Sequence, residues 1–157
     1  MPYTVADAVQ GLRKSRQSFL KHLKGLKADQ WDWKPYQECK SITETIAHLI
    51  CDDRAALQSL QSGKEPDYDS LTEPERDRDK LLAMLDASHR ELCDFITGKW
   101  SGSPLDTEVS IYGMSMPLVS GVAALSSEDL YHSGQVAFIR CATDPDWDYY
   151  TDIYGPE

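Results

Sequence analysis

EDLYHSGQVAFIR, residues 128–140, has the periodicity of a helix but not the side chains of a plain core helix. At 3.6 residues per turn, Leu118, Leu125, Val136 and Ile139 share a face with Glu128, His132 and Gln135, and Gly134 interrupts the middle. A carboxylate and an imidazole among aliphatic side chains are costly to bury unless a metal, an ion pair or a hydrogen-bonded network receives them. Glu128 and His132 stand one turn apart, with Cβ atoms roughly 5–6 Å from each other, close enough to hold one ion between them.

Around this stretch the chain reads as helical, with four long periodic segments separated by connections rich in breakers. The first starts at Thr4, a good N-cap, carries Val5, Ala8, Val9, Leu12, Phe19, Leu23 and Leu26 on one stripe, and is expected to end around Lys27. The connection ADQWDWKPYQECK follows, and Ser41 with Glu44 forms a capping-box pattern ahead of Ile42, Ile46, Leu49, Ile50, Leu57 and Leu60. A loop from Gly63 to about Thr72 leads to a third stripe of Leu81, Leu85, Leu92 and Ile96, closed by Gly98 and Gly102. In SPLDTEVSIYGMSMP, residues 103–117, the period changes: Val109, Ile111, Tyr112-Gly113, Met114 and Met116 read as a short β-hairpin or extended crossover. Pro117 suits the first turn of the fourth helix, which runs to about Ala142 and stops before Asp144-Pro145. The expectation is an all-α four-helix bundle with a long crossover between helices 3 and 4, one domain over 1–157. Its acidic, aromatic tail, 143–157, either docks Trp147, Tyr149 and Tyr150 or stays loosely ordered.

Composition narrows the function classes. The 157 residues include 26 acidic and 16 basic side chains, a net charge of −10, which opposes binding to nucleic-acid phosphates and anionic membranes. No basic-then-apolar run opens MPYTVADAVQ and no segment approaches a membrane span, so a cytoplasmic protein is expected, with neither signal peptide nor membrane anchor. Cys39, Cys51, Cys93 and Cys141 are scattered and read as reduced thiols.

A further ligand for an ion at Glu128 and His132 must come from another segment, and His48, in SITETIAHLICDD, is the best candidate. Two imidazoles and a carboxylate are the donor set of catalytic zinc and facial-triad iron sites. Yet His48 lies off the centre of its own apolar stripe, beside Glu44, Thr45 and Asp52, so solvation or an ion pair would also account for it. His22, on the polar edge of its helix, reads as a surface histidine, and His89, near Leu85 and Leu92, as a histidine at the core edge.

YHSGQVAFIR (131–140) resembles the fourth-helix signature of the DinB/YfiT-like superfamily, WDWKP (31–35) its Trp-x-Pro loop, and SITETIAHL (41–49) its second-helix motif ending in His-Leu. The resemblance spans nearly the whole chain and implies a four-helix bundle, often a homodimer, with a divalent metal held by His48, Glu128 and His132. Zinc or nickel is the family's usual ion. Glu128 stands where the family usually has a histidine, which admits iron or manganese as well, or else marks a site that has lost its metal. Gln135 is placed to orient a ligand from behind, and Gly134 to allow a close approach. The implied activity is that of a metal-dependent enzyme acting on a small molecule, either a thiol S-transferase using a low-molecular-weight thiol cosubstrate or a hydrolase. The alternative is a non-catalytic, stress-associated binding module.

Overall fold

The computed structural model describes residues 2–156; Met1 and Glu157, the ends of the expected 1–157 span, lie outside the described residues. Four long helices carry the architecture: α1 (Val5–Leu23), α2 (Ile42–Ser62), α3 (Arg78–Trp100) and α4 (Leu118–Thr143). Between α3 and α4 stands the antiparallel hairpin β1 (Glu108–Ile111) and β2 (Met114–Pro117), where the change of period predicts it, and a short α5 (Tyr149–Tyr154) closes the chain. The fold is an all-α bundle carrying one hairpin.

Local chemistry sets most helix ends. The Thr4 hydroxyl accepts from the Asp7 N–H at 3.2 Å while the Asp7 carboxylate receives the Thr4 N–H at 2.9 Å. Ser41 and Glu44 repeat the arrangement at the start of α2. α1 ends at Leu23, earlier than Lys27, because Gly25 turns the chain with φ +72°. The Arg140 guanidinium then takes the freed carbonyls of His22 and Lys24 at 2.9 and 2.6 Å. α3 starts at Arg78, several residues beyond Thr72. Glu73 is drawn off to Arg54 of α2 at 2.9 Å, so the helix waits for Asp77, whose side chain caps Lys80.

The segment 63–77 is more than a short loop. α2 and α3 both start at the Trp31 end, where Thr43 bonds the Trp31 carbonyl and Arg78 lies over the Trp31 ring. The two helices therefore run in the same direction, and 63–77 returns along the bundle. α2 is about 30 Å long, within the roughly 50 Å that the connection can span when extended.

Two apolar clusters fill the bundle. One gathers Leu12, Leu60, Ile96, Ile111 and Leu125, the other Phe19, Ile46, Ile50, Leu85 and Ile139. Between them each long helix turns buried polar side chains inward: Ser15 and Arg16, Asp53, Ser88 and His89, then Asp129 and His132. α1 lies chiefly along α4 and α2 along α3, which leaves α2 and α4 facing each other across a sparser seam.

Of the tail aromatics, Trp147 stacks under Arg140 at 4.3 Å and Tyr149 faces His22, while Tyr150 points outward; Ile153 is the anchor. His22 is consequently buried, not at the surface, and its Nδ1–H donates to the Ser18 carbonyl at 2.7 Å. Among the described residues no helix is long and apolar enough to cross a membrane.

Candidate metal centre

α2 and α4 run antiparallel across the seam, and each offers a histidine and a carboxylate one turn apart: His48 and Asp52 on α2, Glu128 and His132 on α4. The opposed directions put the two imidazoles at one level, with ring centroids 5.0 Å apart and planes at 75°. His48 Nε2 is 3.2 Å from Asp52 Oδ2, and His132 Nε2 is 3.8 Å from Glu128 Oε2. One ligand atom from each of the four residues lies within 4.8 Å of all the others. His48, Glu128 and His132, far apart in the chain, thus meet in one place, and Asp52 joins them.

His132 is the buried member, 2% exposed, whereas the Glu128 side chain sits at the rim with 42% exposure. Gln135 Oε1 stands 2.7 Å from His132 Nδ1. A carbonyl oxygen only accepts, so Nδ1 carries the proton and Nε2 keeps its lone pair toward the cluster. That Nε2 atom is buried and has no hydrogen-bond partner. Gln135 is therefore where a residue orienting a ligand from behind belongs.

Burial dominates the electrostatics of the cluster. Burial, with His132 and Lys40 adding to it, pushes His48 down to about 4, and burial also lowers His132 despite Gln135 and Glu128. Burial and the charges of Glu128 and Asp53 push Asp52 up to about 7. Neutral imidazoles facing carboxylates lack positive charge, and a divalent cation supplies it together with an acceptor for the orphaned Nε2. The donor set fits such an ion.

A cleft of about 750 Å³ opens beside the seam, lined by Tyr36, Lys40, Tyr131, Gln135 and Phe138 among others. It adjoins the cluster through Gln135 and through Tyr131, whose ring meets His132 edge-on at 5.1 Å. Gly134 also borders this cleft, and a Cβ added there meets nothing within 4 Å, so the close approach expected at this glycine does not occur.

Two features escape a reading of the sequence alone. Asp52 repeats, from His48, the spacing that singles out Glu128 and His132, and that symmetry is its signal. The most deeply buried carboxylate of α4 is Asp129, 1% exposed, not Glu128. Asp129 receives Arg16 Nε at 2.7 Å and the Ser15 hydroxyl at 2.9 Å, and the same guanidinium grips Asp53 at 3.0 and 3.1 Å. The signal for Arg16 is its place on the apolar stripe of α1, between Leu12 and Phe19. His89 lies at the core as expected, its Nδ1 3.7 Å from Asp53.

Fold and site together define a helical bundle with a cation-competent seam of two histidines and two carboxylates. The chain matches the model of the DinB superfamily over residues 11–136 and belongs to that superfamily. The match includes all four seam residues and Gln135. No curated protein matches the sequence.

Proposed function

We propose that this chain is a divalent-metal-dependent enzyme that transfers a low-molecular-weight thiol to a small electrophile bound in the cleft beside His132. The observation that carries the reading is the His132 Nε2 lone pair, buried without a partner among three further ligand atoms. A closed polar network, the non-catalytic alternative, would satisfy that atom. Two imidazoles with carboxylates suit zinc, nickel, iron or manganese.

His48, Glu128 and His132, with Asp52 beside them, would hold the ion. A divalent ion there supplies Lewis-acid chemistry toward a thiol or a water. Gln135 keeps the His132 tautomer that presents Nε2. Lys40, whose charge reaches His48, His132 and Asp52, draws an anionic cosubstrate to the mouth of the cleft. With water as nucleophile the same centre is a hydrolase, and a transfer assay run with and without thiol separates the two. Exposed Leu130 and Phe138 on α4 support a homodimer.

Elemental analysis of untagged protein purified without added metal tests the proposal. Near-stoichiometric metal is expected, lost in His48→Ala and in the Glu128→Ala/His132→Ala double variant. Wild-type protein that carries no metal and takes up none of the four ions on reconstitution would overturn the reading.

A further inference from the structure

Three aromatic rings line the cleft beside the seam: Tyr36 from the connection between α1 and α2, and Tyr131 and Phe138 from α4. None of them serves the core. They are 63%, 64% and 58% exposed, and the apolar cluster that includes Ile139 of the same cleft closes without them. Tyr131 and Phe138 are seven residues apart, so two turns of α4 put them on one face, with Gly134 and Gln135 in the turn between. A mid-helix glycine weakens a helix relative to alanine, and no neighbour requires this one, since an added Cβ would meet nothing within 4 Å. Its effect is to leave bare helix between two rings. Tyr36 belongs to a turn in which the Cys39 N–H donates to the Tyr36 carbonyl at 3.1 Å, and Cys39 lines the cleft as well.

The cleft leads to the seam. The Tyr131 ring meets His132 edge-on with centroids 5.1 Å apart, and Gln135 stands 2.7 Å from His132 Nδ1. A volume of about 750 Å³ is that of a small-molecule site. Ring pairs in offset-stacked or edge-to-face contact attract each other beyond the area they bury, so exposed rings around a gap favour a ligand with a π-face of its own. We infer that the electrophile enters this cleft as a planar aromatic group, its ring lying over Gly134 between Tyr131 and Phe138 and against Tyr36. Aromatic electrophiles are then the substrate class of the proposed transfer, which rests on that reading, whereas ring binding itself needs no metal. Lys40, on the same cleft, is left for the anionic cosubstrate.

The test titrates the full chain with 2-naphthol and with its saturated counterpart, decahydro-2-naphthol, by calorimetry. The two share a skeleton and a hydroxyl and differ in the π-face. 2-Naphthol is expected to bind about threefold or more tighter. Phe138→Leu keeps an apolar side chain but removes a ring, and should erase most of that preference while leaving the saturated alcohol's affinity unchanged. Gly134→Leu fills the gap from a helix position with open space, and should weaken 2-naphthol about tenfold or more with no fall in melting temperature. Location is read at Cys39: 2-naphthol should slow its alkylation by iodoacetamide and leave exposed Cys141, outside the cleft lining, unaffected. Equal affinities for the two alcohols, a parallel loss of both in Phe138→Leu, or undiminished binding in Gly134→Leu each overturn the assignment. So do protection that extends to Cys141 and a 2-naphthol affinity that falls as protein concentration rises, the sign of a second copy seated over Phe138. Elemental analysis of the same samples keeps the two readings apart. Metal-loaded protein without ring preference loses the substrate class alone, and protein that prefers the ring but takes up no metal loses the metal reading alone.

Discussion

In the proposed metal centre Asp52 sets a cation and a proton in competition. Its carboxyl titrates near 7 in the metal-free protein, so below that pH a proton must leave before the carboxylate can face an ion. His48, lowered to about 4, is neutral throughout the same range and adds no proton to the exchange. Cation affinity is therefore expected to rise with pH by up to about tenfold per unit from about pH 5.5 to 7, then level off. Calorimetry in buffers of different ionisation enthalpy should show a proton released on binding at the acid end, and Asp52→Asn should flatten the profile. A flat wild-type profile would remove Asp52 from the site. Gln135 acts through tautomer choice: Gln135→Leu frees His132 to protonate Nε2 instead, and a loss of metal affinity of about 10-fold to 100-fold is expected by direct titration. At this scale His48, Glu128, His132 and Gln135 are legible because spacing and motif mark them. Asp52 is not, because a carboxylate on the wet side of a helical wheel looks solvated until a second helix closes over it.

The hairpin and α4 place opposite demands on their glycines. Gly113 has φ +80°, and a Cβ there would come within 3.0 Å of the Glu65 backbone, so Gly113→Ala is expected to destabilise by about 1–3 kcal/mol. Gly134, mid-helix with open space around it, should behave in the opposite sense, Gly134→Ala adding roughly 0.5–1 kcal/mol. Urea midpoints of the two variants should move in opposite directions. Helix existence is legible from periodicity, as are the N-cap at Thr4 and the capping box of Ser41 and Glu44, whereas the box that Asp7 completes at Thr4 emerges only in the structure. What misleads is the third dimension. α1 stops early at Gly25, its last carbonyls accepting from Arg140 far along the chain, and α3 starts late because Arg54 claims Glu73. Neither partner can be read from the local sequence. The running direction of α3 is hidden for the same reason, since loop composition does not report where a loop ends.

Across the whole molecule, the buried polar layer that divides the two apolar clusters joins the fold to the site. Arg16 of α1 holds Asp53 of α2 and Asp129 of α4, the residues that follow Asp52 and Glu128, and Ser88 of α3 adds a hydrogen bond to Asp53 at 2.8 Å. One guanidinium thus ties together both helices that contribute to the seam. Hydrophobic patterning hides such a layer, because each member occupies an apolar position on its own helix and makes sense only against the other three. Arg16→Met would leave two buried carboxylates unpaired, and a loss of roughly 3–5 kcal/mol is expected. Stability alone does not separate a clamp from an ordinary core ion pair. Adding Asp53→Asn and Asp129→Asn removes the buried charge, and most of the stability should return, since neutral replacements of buried ion networks are often tolerated. The helices, however, remain unclamped. If Arg16 sets the separation of α2 and α4, cation affinity in that triple variant stays about tenfold or more below wild type although the melting temperature has recovered. Recovery of both together would make the layer a feature of the fold alone, with the seam positioned by the apolar clusters on either side.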